Sequence, residues 1–151
     1  MAKKLGELFA EGRGAPLDVA GQRVTMTYEL PDPADGQTLR IAFTGARRDR
    51  REGLVVKARG GVLEVNGQRL AEVVLWTDTA PPLVELTVRR SGRGGLLVRM
   101  WNTWVDDAGV DQAWVGNAGI VVEETGDGAV LRCSDGYDDP SFDDLVVTVA
   151  R

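Results

Sequence analysis

The sequence has no histidine and only one cysteine, and each shortage excludes a class of functional site. Without histidine there is no Ser-His-Asp triad, no Cys-His nucleophile and no imidazole ligand for a metal ion. One cysteine cannot form an internal disulfide or a thiolate zinc site, so we interpret Cys133 as a small buried hydrophobic residue. Most enzyme templates are excluded in this way, and we expect no catalytic activity.

Long apolar runs are also missing. No segment approaches the roughly 18–20 apolar residues of a transmembrane helix, and the N-terminus MAKKLGELFAEGRG lacks the continuous apolar region of a secretory signal. We therefore expect no membrane partner and a cytoplasmic location, with export by a route that uses no cleaved signal as the alternative.

Basic residues are scarce in the last third of the chain. Residues 101–151 contain two Lys and Arg against 11 Asp and Glu, whereas residues 1–100 contain 16 against 12. This asymmetry argues against nucleic acid as a partner and favours a cation or a basic neighbour. The basic loop GARRDRREG contains Asp49 and Glu52 and no aromatic residue, so we interpret it as a solvated hairpin tip and not as a phosphate site.

Short alternating or β-rich segments separated by glycine and proline turns predict an all-β fold. No long helical pattern intervenes, which favours an antiparallel β-sandwich of jelly-roll or Greek-key type with about ten strands. Asn66-Gly67 predicts a two-residue type I′ hairpin. Residues 1–20 are expected to form an N-terminal arm or short helix, and residues 21–151 a single sandwich domain. The predicted strands are 23–30, 39–43, 54–58, 62–65, 70–76, 84–88, 98–101, 120–124, 130–133 and 145–149.

An acidic segment precedes the last predicted strand. Carboxylates crowded in this way repel one another, and calcium is a natural counter-charge for them. An exposed turn before a strand has the same composition, so that alternative stays open. The predicted metal-binding residues are Asp135, Asp138, Asp139, Asp143 and Asp144.

The acidic segment resembles the calcium loop of the small bacterial lectins that bind fucose or mannose through calcium. In those lectins an acidic Asp-Gly loop with paired acids leads into the last strand of a β-sandwich. The resemblance implies that Asp138, Asp143 and Asp144 are calcium ligands, and it is limited to this loop and strand. It is carried by Asp135, Gly136, Asp138, Phe142, Asp143, Asp144, Val146 and Val147.

Three of the four tryptophans lie within the segment MWNTWVDDAGVDQAWVGNAG. Indole rings suit the apolar faces of sugars, and amides can bond the hydroxyl groups. Packing over the end of a sandwich is the alternative for each ring, although we expect Trp101 to be partly exposed because it alternates with Met100. The candidate ligand-binding residues are Trp101, Trp104, Trp114, Tyr137, Asn102 and Asn117.

These patterns together predict a non-enzymatic ligand-binding domain, with calcium-assisted carbohydrate binding as the leading interpretation and a glycan as the partner. The alternative is a cytosolic structural or protein-interaction β-domain that uses its acidic C-terminal face without a metal. A homodimer or tetramer would suit weak single sugar sites. A glycosidase is a further alternative, with a catalytic carboxylate pair built from Asp106 and Asp107 with Asp138 or Asp143. No local sequence signature supports it.

Overall fold

The computed structural model describes residues 3–151 and contains two antiparallel β-sheets. Strands account for 54% of the chain and helix for 5%, which confirms the predicted all-β sandwich. Residues 1 and 2, which belong to the predicted N-terminal arm, lie outside the described residues. No helix within residues 3–151 has the length and apolar character needed to cross a membrane.

One short helix precedes the strands in the described part of the chain. This helix, α1, spans Leu5–Glu11. The strands in chain order are β1 Leu17–Val19, β2 Gln22–Thr25, β3 Tyr28–Pro31, β4 Gln37–Ala46, β5 Glu52–Arg59, β6 Gly61–Val65, β7 Gln68–Leu70, β8 Glu72–Trp76, β9 Leu83–Arg90, β10 Leu97–Val105, β11 Asp111–Gln112, β12 Gly119–Thr125, β13 Gly128–Ser134 and β14 Leu145–Ala150.

The two sheets differ in size. The large sheet has nine strands in the order β1-β2-β12-β13-β14-β4-β9-β6-β7. The small sheet has the order β11-β10-β5-β8, and β3 also pairs with β10. Apolar side chains from both sheets form the main core, in which Leu54, Met100 and Leu131 are fully buried. Cys133 is buried in the same core, as predicted, and burial raises the pKa of its thiol.

Two of the predicted strands are wrong in their extent because the chain changes sheets within them. The alternation over residues 23–30 predicted one strand, but β2 pairs in the large sheet and β3 in the small sheet. The chain bends between them at Met26 and Thr27. Residues 70–76 are divided in the same way between β7 and β8, with Ala71 at the crossing. Alternation continues through the first bend and a mostly apolar run through the second, so neither pattern reveals the crossing.

Two local predictions are confirmed. Asn66 and Gly67 both have positive φ angles, 50° and 75°, and join β6 to β7 as a two-residue hairpin. The N-terminal segment, expected to be an arm or a short helix, contains the helix α1, which buries Leu5 and Phe9 in a second apolar cluster with Val24 and other residues of the large sheet. Strand β1 lies within the predicted arm and pairs with β2, so part of this arm belongs to the large sheet.

Candidate functional site

Two loops of opposite charge meet at one end of the sandwich. The arginine loop, residues 47–51, follows β4, and the acidic loop, residues 135–144, precedes β14. Because β4 and β14 are antiparallel neighbours with Ala46 opposite Leu145, the end of one strand lies beside the start of the other. The sheet register therefore brings together two segments that are far apart in the sequence.

Asp135 makes the main contacts between the two loops. Its side chain is fully buried, and Oδ2 accepts a hydrogen bond from Nη1 of Arg47 at 3.1 Å. Nε of Arg50 lies 3.7 Å from the same oxygen, and Arg47 lies 3.8 Å from Asp144. Arg47 also donates two hydrogen bonds to Asp49, which raise its pKa and lower the pKa of Asp49 to about 2. The same chain therefore supplies counter-charge to the acidic loop.

The carboxyl group of Glu52 lies close to this cluster, at the start of β5. It is fully buried, and neither oxygen has a hydrogen-bond partner among residues 3–151. Burial, reinforced by the negative charge of Asp135, raises the pKa of Glu52 to about 10, so this group is protonated at neutral pH. The indole N–H of Trp104, which lies opposite Glu52 in the β-ladder, also has no partner in this part of the structure.

The five aspartates predicted as metal ligands divide into two groups. Asp135 and Asp144 are buried, whereas Asp138, Asp139 and Asp143 are exposed. Burial is also the main cause that raises the pKa of Asp144. Within residues 3–151, no group of three or more acidic or cysteine side chains is arranged to hold a metal ion. Calcium binding by this loop stays a prediction.

The tryptophan-rich segment and the acidic loop meet at two glycines. Gly116 has a φ of 61°, and a methyl group there would overlap the carbonyl oxygen of Gly136. A methyl group on Gly136 would lie 2.5 Å from Cζ2 of Trp104. Only glycine permits these two approaches, so the two constellations found in the sequence are neighbours held together by backbone contact.

Four of the six candidate ligand-binding residues are buried in the interior or hold the loops in place by side-chain contacts. Trp104 and Asn102 are buried, and Asn102 donates to a carbonyl of β13 at 3.0 Å. The ring of Tyr137 lies 3.5 Å from the guanidinium carbon of Arg50. Asn117 donates to a carbonyl of the acidic loop at 2.6 Å and accepts from the first amide of α1 at 3.1 Å. These four side chains hold the two loops and the helix in place.

The other two candidates, Trp101 and Trp114, pack against each other, and Trp101 belongs to the main core. Their ring centroids are 4.7 Å apart, and the planes are inclined by 34°. The expectation that Trp101 is partly exposed is wrong, because its exposed fraction is 8%. Trp101 does point away from Met100, but the ring of Trp114 packs against it. Trp114 itself is 38% exposed and is the outer member of the pair.

The exposed indole of Trp114 borders the cleft that we call the Trp114 cleft, which has a volume of about 550 Å³. The cleft lies where the chain passes from the large to the small sheet, between the end of α1, β2, β3 and β10. Its polar lining combines hydroxyl and charged groups beside the aromatic wall. These groups come from Arg13, Arg23, Thr25, Thr27, Glu29 and Arg99.

The position of the Trp114 ring is fixed at both the backbone and the side chain. Its backbone has a φ of 61°, a left-handed conformation that a bulky side chain rarely adopts. Its Nε1 donates to the carbonyl of Met26 at 3.2 Å, at the crossing between the sheets. Strained backbone of this kind is concentrated at functional sites. The sequence singled out this tryptophan but gave no sign of the conformation.

The arginines of the cleft were not singled out from the sequence. Arg99 carried a usable signal, since it alternates with Met100 and therefore shares the outward face of its strand with Trp101. Arg13 and Arg23 are single charges in separate segments, and only the fold brings them to the same cleft.

Comparison of the chain with family models, with curated proteins and with solved structures finds no match.

Proposed function

We propose that this protein is a non-enzymatic carbohydrate-binding β-sandwich and that the Trp114 cleft receives the sugar. The observation that carries this proposal is the rigid, partly exposed indole of Trp114 beside a cleft of about 550 Å³. This volume falls in the range of small-ligand sites, and an indole face suits the apolar face of a pyranose ring. Thr25 and Thr27 add hydroxyl groups that can bond those of a sugar.

The charged groups of the cleft favour binding over hydrolysis. A glycosidase needs two carboxyl groups on opposite sides of the scissile bond. Among the residues that line the Trp114 cleft, one carboxylate is present, Glu29, and its Oε1 lies 3.5 Å from Nε of Arg99. The buried carboxyl groups of Glu52, at the start of β5, and of Asp135, directly after β13, do not line the cleft.

Calcium is not a component of this proposal. The loop that resembles the lectin calcium loop has two of its aspartates, Asp135 and Asp144, within 4 Å of Arg47 nitrogens. The same pairing reduces the support for the alternative function, a protein-interaction domain with an acidic docking face. Of the five aspartates, Asp138 and Asp139 are exposed without an ion pair among residues 3–151, whereas Asp143 already pairs with Arg132 at 3.3 Å. Self-association is a separate prediction that light scattering after size-exclusion chromatography tests.

Affinity electrophoresis in gels that contain neutral or acidic polysaccharides tests the proposal. The wild-type chain should be retarded by at least one of them, and Trp114→Asn should weaken that binding about tenfold, which corresponds to about 1.4 kcal/mol. Asparagine is chosen because it accepts a left-handed backbone, so the change removes the ring without adding strain.

The matched control is Leu83→Asn, which removes another exposed apolar side chain outside the cleft. Retardation that Trp114→Asn leaves unchanged, or that both variants lose equally, would contradict a site at Trp114.

A further inference from the structure

We infer that the Trp114 cleft selects acidic saccharides, and that Arg13 and Arg23 bind the anionic group of the sugar. This inference rests on the proposed function, since it names the ligand class of the same site. The lining of the cleft carries an excess of positive charge. Three arginines and one glutamate line it, although the chain as a whole has a net charge of −5. An excess of positive charge in one cleft of an acidic protein attracts an anion to that place.

The three arginines differ in their contacts. Arg99 lies opposite Glu29 in the ladder between β10 and β3, and the two side chains form an ion pair. Neither Arg13 nor Arg23 forms an ion pair or a side-chain hydrogen bond with any residue of 3–151. Asp18 is the cross-strand neighbour of Arg23, yet the two side chains are not within ion-pair distance. Two guanidinium groups of the cleft are therefore free to bind a ligand.

Both free arginines are carried by ordered backbone. Arg23 is part of β2, which is paired on both sides, with β1 and with β12. Arg13 follows α1, and its amide donates to the carbonyl of Ala10 at 3.2 Å. The helix is in turn anchored by its buried side chains. Little backbone ordering is required when such groups bind an anion, which favours affinity.

The chemistry of these groups defines the ligand class. A guanidinium group binds a carboxylate or a sulfate through paired, charge-assisted hydrogen bonds. The indole of Trp114 beside it offers a surface for a sugar ring. A sugar ring that bears a carboxylate or a sulfate satisfies both requirements, whereas a neutral sugar uses the indole and the threonines alone.

Two pairs of polysaccharides that differ in charge test the inference by affinity electrophoresis. Polygalacturonate is compared with its methyl ester, and dextran sulfate with dextran, so that the carboxylate and sulfate sources are separated. We expect at least one acidic member to bind about tenfold or more tightly than its neutral counterpart. Arg13→Gln and Arg23→Gln should each reduce this preference several-fold, and Arg93→Gln, an exposed arginine of the turn after β9, should not.

The outcomes separate the two proposals. Equal binding of acidic and neutral members, lost in Trp114→Asn, would overturn the acidic preference and leave carbohydrate binding in place. Acidic binding that depends on Arg13 and Arg23 but not on Trp114 would overturn carbohydrate recognition and show a simple anion site. Absence of binding to all four polymers, or an equal effect of Arg93→Gln, would overturn the inference.

Discussion

The arginines of this protein differ between its two main polar regions. In the acidic cluster, formed by Glu52, Asp135 and Asp144, Arg47 and Arg50 lie within 4 Å of the buried carboxylate of Asp135. In the Trp114 cleft, Arg13 and Arg23 line an open space and form no ion pair within the described residues. Arginine thus neutralises buried charge in one region and is exposed without an ion pair in the other. The presence or absence of an ion pair within the chain, and not the residue type, distinguishes a structural arginine from a candidate binding residue.

We expect that removing an arginine charge destabilises the protein in the acidic cluster and changes binding in the Trp114 cleft. Removing the cation beside a buried carboxylate strongly destabilises the folded protein, because the carboxylate has already lost its hydration. An exposed arginine that loses its charge has little effect on folding.

Arg47→Met should produce the largest loss. It leaves Asp135 and Asp144 without their main counter-charge and should lower the free energy of unfolding by about 3 kcal/mol. Urea denaturation measures this change. Arg48→Met is the matched control, since Arg48 is an exposed member of the same loop, and its effect should stay within about 0.5 kcal/mol. Equal losses in the two variants would show that Arg47 contributes no more to stability than an exposed arginine of the same loop.

Gly116→Ala should affect both regions at once. The added methyl group would overlap the carbonyl of Gly136, in a left-handed conformation that favours glycine, so a loss of about 2 kcal/mol is expected. Binding at the Trp114 cleft should weaken in the same variant. Gly126→Ala is the control, because nothing lies within 4 Å of the added methyl group there. A Gly116→Ala protein of wild-type stability would show that the two loops are not tightly packed.

Glu52→Gln should change how stability depends on pH. The folded pKa of about 10 lies above the ordinary value of 4.5, so the folded state binds more protons between these values. Stability is therefore lost as the pH rises through this window. The variant should exceed the wild type by at least about 1 kcal/mol at pH 9, and by less at pH 5.

Urea denaturation at both pH values measures this difference. Glu72→Gln, which removes an exposed carboxyl on β8, is the control and should follow the wild-type profile. If Glu52→Gln shows the wild-type slope as well, Glu52 is ionised in the folded protein.

Calcium should have the smallest effect. Because arginines already neutralise Asp135 and Asp144, we expect 1 mM calcium to raise the melting temperature above its value in EGTA by less than about 1 °C. A larger rise that Asp138→Asn and Asp143→Asn abolish, and that Asp127→Asn on the β12–β13 turn retains, would establish the predicted calcium site.

The sequence predicted the fold class because alternation and turn residues are local signals. Asn66 and Gly67 determine a hairpin through their own φ angles, so this prediction needed no knowledge of distant residues. The crossing at Met26 could not be found in the same way, since the pattern of alternation is unchanged on both sides of the bend. Alternation tells which face a side chain occupies and does not tell which sheet contains the strand.

The candidate site was less predictable because it depends on pairs of distant segments. The arginine loop was expected to be a solvated tip, since Asp49 and Glu52 balance it locally, but Arg47 contacts Asp135 through the register of β4 and β14. The charge asymmetry favoured either a cation or a basic neighbour for the acidic end, and Arg47 of the same chain contacts this end. The burial of Trp101 depends on the loop that carries Trp114, which no periodicity of the strand could show.

The short segment from Trp114 to Asn117 belongs to both regions. Its first residue borders the cleft, and its third packs directly on Gly136 of the acidic loop. If a ligand in the cleft shifts this segment, ligand binding changes the proton affinity of the acidic loop. By thermodynamic reciprocity, protonation of the loop then changes the ligand affinity of the cleft by the same factor. Ligand binding in the cleft and proton binding in the acidic loop would then be coupled in both directions.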